Sequence, residues 1–128
     1  MCIRDSPHAV AFLDDLTQVG SLETAPDVHP SSVFPDGVNI EFVEIISPDT
    51  VTMRVHERGS GETRSCGTGT CAVALAATIH TRGRLPARWV IKPPGGTLIV
   101  DIDGHSNATL TGPALLIGDY DISDYFTK

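Results

Sequence analysis

The chain has 128 residues, 41% hydrophobic and 20% charged, a size and balance that suit one globular domain with a single core. Its formal net charge of −7 disfavours a nucleic-acid surface, and no apolar run reaches the roughly 18 residues that a membrane-spanning helix needs. The three cysteines, Cys2, Cys66 and Cys71, follow no framework spacing, which argues against a disulfide scaffold and for a reducing, cytoplasmic setting.

Residues 1–6 lack the apolar stretch of a secretory signal and run straight into an apolar segment. They are read as an artefactual start, with the natural chain beginning further upstream. Residues 8–13 predict a strand closed by Asp14 and Asp15, and residues 16–22 a short helix or irregular turn. Residues 25–37, with Pro26, Pro30 and Pro35, predict a surface loop. Two alternating strands follow at 38–46 and 50–57, joined by a turn at Ser47-Pro48-Asp49, and residues 59–65 predict a polar loop.

Residues 69–82 predict the one helix. It is apolar nearly all round, which implies burial on most sides, and Gly83 stands where a terminating glycine belongs. Strands are predicted at 87–92, 97–102, 107–111 and 115–117, with turns at Pro93-Pro94-Gly95-Gly96 and Asp103-Gly104. The pattern predicts an α+β fold, a curled mixed or antiparallel sheet wrapped around one central helix over residues 7–117. Residues 118–128 form an acidic, aromatic tail (Tyr120, Tyr125, Phe126) that is expected to dock on a second domain or to end loosely ordered.

The densest chemistry lies in residues 57–74. Glu57 and Arg58 lead through a Gly-rich polar loop to Ser65-Cys66-Gly67-Thr68-Gly69, at the start of the predicted helix. A thiol at a helix N-terminus has its anion stabilised by the helix dipole and by unpaired backbone N–H groups, and the same groups can hold a carboxylate. Free cysteines are commonly buried packing residues. Cys66 departs from that pattern because its neighbours suit backbone exposure, whereas Cys71, one turn further on among alanines, reads as core. Glu57 and Arg58 read either as an exposed ion pair or as groups facing a cavity lined by Cys66, with Arg58 gripping a carboxylate through its fork. His8 and Asn39 each stand at a strand start, where such residues are more often structural.

Other motifs fail. Gly67-x-Gly69-x-x-Ala72 resembles a dinucleotide fingerprint, but a polar loop precedes it and no Asp or Glu occurs between Glu62 and Asp101. The lysines, Lys92 and Lys128, form no phosphate loop, and Cys66, Cys71, His56 and His80 lack a metal-ligand spacing, so no metal is expected. A Cys-His hydrolase stays open, given five histidines.

Glu57-Arg58-Gly59-x-Gly61-Glu62-Thr63 followed by Ser65-Cys66-Gly67-Thr68-Gly69-Thr70 closely resembles a signature of the diaminopimelate epimerase family. Pro7-His8-Ala9-Val10, Gly37-Val38-Asn39-Ile40-x-Phe42-Val43, Pro94-Gly95-Gly96-x-Leu98 and Leu110-Thr111-Gly112-Pro113-Ala114 resemble further family segments in the same order. The resemblance implies a cofactor-free amino-acid epimerase of two similar halves, each donating one cysteine to a cleft between them, with this sequence corresponding to the C-terminal half. It implies Cys66, Glu57 and His8 at the reacting centre. Gly67 and Thr68 would hold the α-carboxylate, Glu57 the α-amino group, and Asn39 and Arg58 the distal end of LL-diaminopimelate. The implied partners are that small-molecule substrate and the N-terminal half, with no nucleic acid and no membrane. The implied setting is the synthesis of lysine and peptidoglycan precursors.

Ser6 and Asp5 stand where the family has Asn and Gly, which removes or weakens a distal contact. Proline racemases and phenazine-pathway isomerases, expected to share the fold, are the alternative, but they lack the Glu-Arg-Gly-x-Gly-Glu-Thr lead. A non-catalytic module that binds amino-acid carboxylates is a second alternative. A homodimer facing two Cys66 residues across a cleft is a third.

Overall fold

The computed structural model describes residues 6–123. The expectations for Cys2, Asp5, Tyr125 and Phe126 lie outside the described residues. The elements are β1 (His8–Phe12), β2 (Asn39–Ser47), β3 (Thr50–Glu57), β4 (Gly61–Thr63), α1 (Gly67–His80), β5 (Ala87–Lys92), β6 (Leu98–Ile102) and β7 (Ala108–Thr111), with 3-10 turns at Leu16–Gln18 and Ser31–Val33. The strands form one mixed sheet in the order β1-β2-β3-β5-β6-β7, with β4 pairing β3 off that path. β1 runs parallel to β2, and β3 parallel to β5; α1 lies in the connection between the latter two.

Side-chain alternation assigns the two faces of this sheet. Val43 from β2, Val51, Met53 and Val55 from β3, Trp89 and Ile91 from β5, and Val100 and Ile102 from β6 meet Val73, Ala74 and Ala77 of α1 in one buried cluster. The alanines let the helix lie close to the strands. A buried hydrogen-bond chain ties the two layers, Trp89 Nε1 donating to Thr78 Oγ1 at 2.8 Å and Thr78 Oγ1 donating to Ala74 O at 2.9 Å. The long connection from β1 to β2 is tied at its Leu22 to His56, an outward residue of β3, whose Nδ1 bonds Leu22 O at 2.7 Å. Arg54 holds the same connection, donating to Val19 O and Gly20 O while forking onto Glu62.

The α+β sheet-and-helix architecture agrees with expectation, and five details differ. The helix begins two residues earlier than predicted, at Gly67, with Cys66 as its N-cap. It buries one face only: Gly69, Thr70, Val73, Ala74, Ala77 and Thr78 are buried, while Ile79 is 70% exposed. A single sheet covers one side of a helix, whatever its composition. The helix ends with Arg82, not Gly83, in the left-handed region (φ 54°), while Gly83 N donates to Thr78 O and Arg82 N to Ile79 O.

The predicted loop 59–65 contains β4, because Gly59 and Gly61, both at φ 80°, fold the chain back onto β3. No strand forms at 115–117. Leu115, Leu116 and Ile117 are exposed and pair with no neighbour, a short apolar run between Pro113 and Gly118 having no partner among the described residues. No helix among the described residues is long and apolar enough to cross a membrane.

Candidate active site

Strand register gathers most of the predicted residues. His8 of β1 pairs with Asn39 of β2, and the ladder that pairs Ile40 with His56 sets Asn39 alongside Glu57 at the end of β3. By alternation these three share the face that carries Val43 and Val55, the face covered by α1. The ring of Phe12, four residues beyond His8 on β1, stacks on His80 at the C-terminal end of α1, with centroids 4.1 Å apart. The opposite end of β1 therefore places His8 toward the N-terminal end of the helix, where Cys66 stands.

Cys66 has extended backbone angles (φ −132°, ψ 113°) and makes no side-chain cap, and no acidic residue occupies the first turn. The first intrahelical bond runs from Thr70 N to Cys66 O at 2.8 Å. The N–H groups of Gly67, Thr68 and Gly69 precede it and are uncapped donors at the positive end of the helix dipole. The Cys66 sulfur is half-buried, 3.6 Å from Thr68 Oγ1, while Gly67 and Thr68 are exposed. Cys71 packs against the core. Burial pushes its thiol up, and the nearby Cys66 adds to that shift.

Asn39 is buried, and its Oδ1 accepts the backbone N–H of Arg58 at 2.8 Å. Its carbonyl is thus committed to the chain, so any ligand contact falls to its NH2 group. Arg58 is exposed; its side chain lies over Gly37 and donates to Asp36 O at 3.1 Å. A Cβ at Gly37, itself at φ 83°, would stand 2.9 Å from Arg58 Cδ. Glu57 is half-buried, and its Oε1 accepts from Thr63 Oγ1 at 2.6 Å.

Two residues of this corner escaped sequence reasoning. Thr63 was absorbed into a polar loop, because only the β3–β4 pairing turns it toward Glu57. Glu41 is fully buried, and its Oε1 shares a 2.6 Å hydrogen bond with His8 Nδ1. Burial pushes its carboxyl above the ordinary glutamate range. His8 pulls the other way, and the charge of Glu57 adds to the rise. The sequence did hold a signal for Glu41: in β2 the inward positions read Asn39, Glu41, Val43, a carboxylate where alternation calls for an apolar side chain.

These features define an α+β domain in which a cysteine stands at the N-cap position of the helix packed on the sheet, beside uncapped amide donors and a buried acid bonded to a partly buried imidazole. The chain belongs to the diaminopimelate epimerase family, whose model, described as Diaminopimelate epimerase, matches residues 5–117.

A protein from Streptomyces coelicolor named Diaminopimelate epimerase is 48% identical over 124 residues, covering 91% of this chain and 43% of that protein. One of the same name from Bacteroides thetaiotaomicron is 42% identical over 117 residues, covering 89% and 42%. The chain therefore spans about two fifths of the length of these curated relatives. A solved phenazine biosynthesis protein of the PhzF family from Bacillus anthracis overlays with a TM-score of 0.47 at 15% identity, covering 79% of this chain and 33% of that one.

Proposed function

We propose that this chain is the C-terminal half of a cofactor-independent epimerase that converts LL-diaminopimelate to the meso isomer. Cys66 is one of its two proton-transfer groups. The second comes from the N-terminal half, across a cleft that the two halves form together. Inverting Cα means removing its hydrogen on one face and delivering another on the opposite face, so one thiolate accepts a proton while one thiol gives one. The electron pair left at Cα delocalises into the α-carboxylate. The amide donors of Gly67 and Thr68 lie where such an anion is best stabilised.

Glu57, held by Thr63, takes the α-amino group, and His8 assists proton transfer. Asn39, through its NH2 group, and Arg58 take the distal end. Cys71 is no substitute for the second cysteine, since it lies on the same helix and packs into the core.

The observation that carries this reading is the position of Cys66, N-cap of an uncapped helix, at the corner where register aligns His8, Asn39 and Glu57. The test is solvent deuterium uptake at Cα of LL-diaminopimelate by this chain mixed with the separately made other half. Uptake is expected with the wild-type chain and is expected to vanish with Cys66→Ala. Equal uptake by Cys66→Ala would remove Cys66 from the reaction.

A further inference from the structure

Glu41 is the polar group in the corner that the proposed reaction does not use. It has no solvent exposure, and its Oε2 has no hydrogen-bond partner, nor has the buried Nε2 of His8. Its other oxygen is aimed at the first turn of α1. A Cβ built on Gly69 would stand 2.5 Å from Glu41 Oε1 and 3.3 Å from Cys66 Sγ, so carboxyl and thiol flank one point at the helix start. An uncompensated carboxyl in such a place is costly, and polar groups left open inside a fold are rare enough to call for a role.

The titratable groups facing Glu41 are His8 from β1, Glu57 from β3 and Cys66 from the start of α1. The bond to Nδ1 fixes the imidazole orientation and leaves Nε2 as the edge turned away from Glu41. With one proton the pair carries no net charge beside the helix start and does not repel a thiolate at Cys66. Loss of that proton leaves a net negative charge there, which disfavours one.

We propose that Glu41 is a positioning residue, acting through His8: the buried pair holds one proton beside the first turn of α1 and so sets how fast the Cys66 thiol reacts near neutral pH. This inference rests on the reading of Cys66 as the reactive group, but its test needs no substrate and no second half.

The test is the alkylation rate of Cys66 by iodoacetamide as a function of pH, resolved by fragment mass spectrometry from Cys71, with a small free thiol in the same reaction as the internal control. Glu41→Gln keeps the shape and removes the acid. It is expected to match wild type where the wild-type pair still holds its proton, since both are then neutral, and to quicken Cys66 by up to about tenfold where wild type has lost that proton and carries a negative charge beside the sulfur. In a His8→Asn background the same substitution is expected to add nothing, as groups acting in series do. A Glu41→Gln curve that superimposes on wild type throughout, or runs slower, overturns the proposal.

Should Glu41→Gln fail to fold, the wild-type chain still decides. The carbon resonances of Glu41 Cδ and His8 Cε1 are expected to move with a common inflection, as two groups sharing one proton do. Independent inflections overturn it. Failure here leaves the epimerase assignment standing, whereas loss of Cys66-dependent deuterium uptake would sink that assignment with this result intact.

Discussion

Thr63 Oγ1 donates a 2.6 Å hydrogen bond to Glu57 Oε1, so the short return strand β4 holds the carboxylate that ends β3. That bond commits Oε1 of Glu57 and leaves Oε2 outside it. Thr63→Val keeps the β-branched shape and removes the donor. In the complemented enzyme it is expected to lower kcat/KM for Cα deuterium exchange by about tenfold, the worth of one hydrogen bond to a charged group. The melting temperature should hardly change, because Thr63 is only half-buried. An unchanged kcat/KM would show that Glu57 needs no support from β4.

Gly69 is required by what lies beneath it. Since a Cβ there would approach Glu41 Oε1 to 2.5 Å and Glu41 Cδ to 3.2 Å, Gly69→Ala must displace a carboxyl that has no solvent to move into. A cost of about 1–3 kcal/mol is expected in urea unfolding, the usual range for overpacking. Truncation at the other side of the contact should relieve it. In a Glu41→Ala background the same glycine substitution is expected to be close to neutral, and a full cost in both backgrounds would assign the penalty to the helix itself.

The raised Glu41 carboxyl makes a signed statement about pH. A group whose folded value exceeds its unfolded one, near 4.5, binds more protons folded than unfolded between the two. Its contribution is fully present below the unfolded value and is lost as pH rises through the folded one. The stability of wild type relative to Glu41→Gln, measured by urea unfolding, is therefore expected to fall as pH is raised from about 4.5. A difference that stays flat or rises would mean that His8 outweighs burial.

Arg82 closes α1 in the left-handed region, at φ 54°, where a residue with a Cβ is strained and glycine is not. Arg82→Gly is expected to stabilise the chain by about 0.5–1 kcal/mol in urea unfolding, the strain relieved less the added freedom of the unfolded chain. Moving the glycine alone does not help. Gly83 contributes an N–H to Thr78 O at 2.8 Å and does not occupy the left-handed position, so the prediction is specific to Arg82.

The sequence by itself determined the parts that depend on local chemistry. Alternation in 38–46 and 50–57 set two neighbouring strands, and the Ala-rich stretch behind Ser65-Cys66-Gly67 set a helix with a cysteine at its start. Motif spacing supplied the family. Tertiary structure decided what depends on partners distant along the chain. The helix proved buried on one face, since only a sheet layer can say which side of an apolar helix finds a neighbour. Residues 115–117 stayed out of the sheet, joining neither of its edges among the described residues. Glu41 became part of the corner because His8, 33 positions away, and Gly69 close in around it. A hydrogen bond or a near-contact between remote residues exists only after the strands are in register, so no reading of β2 alone could assign that carboxyl its neighbours.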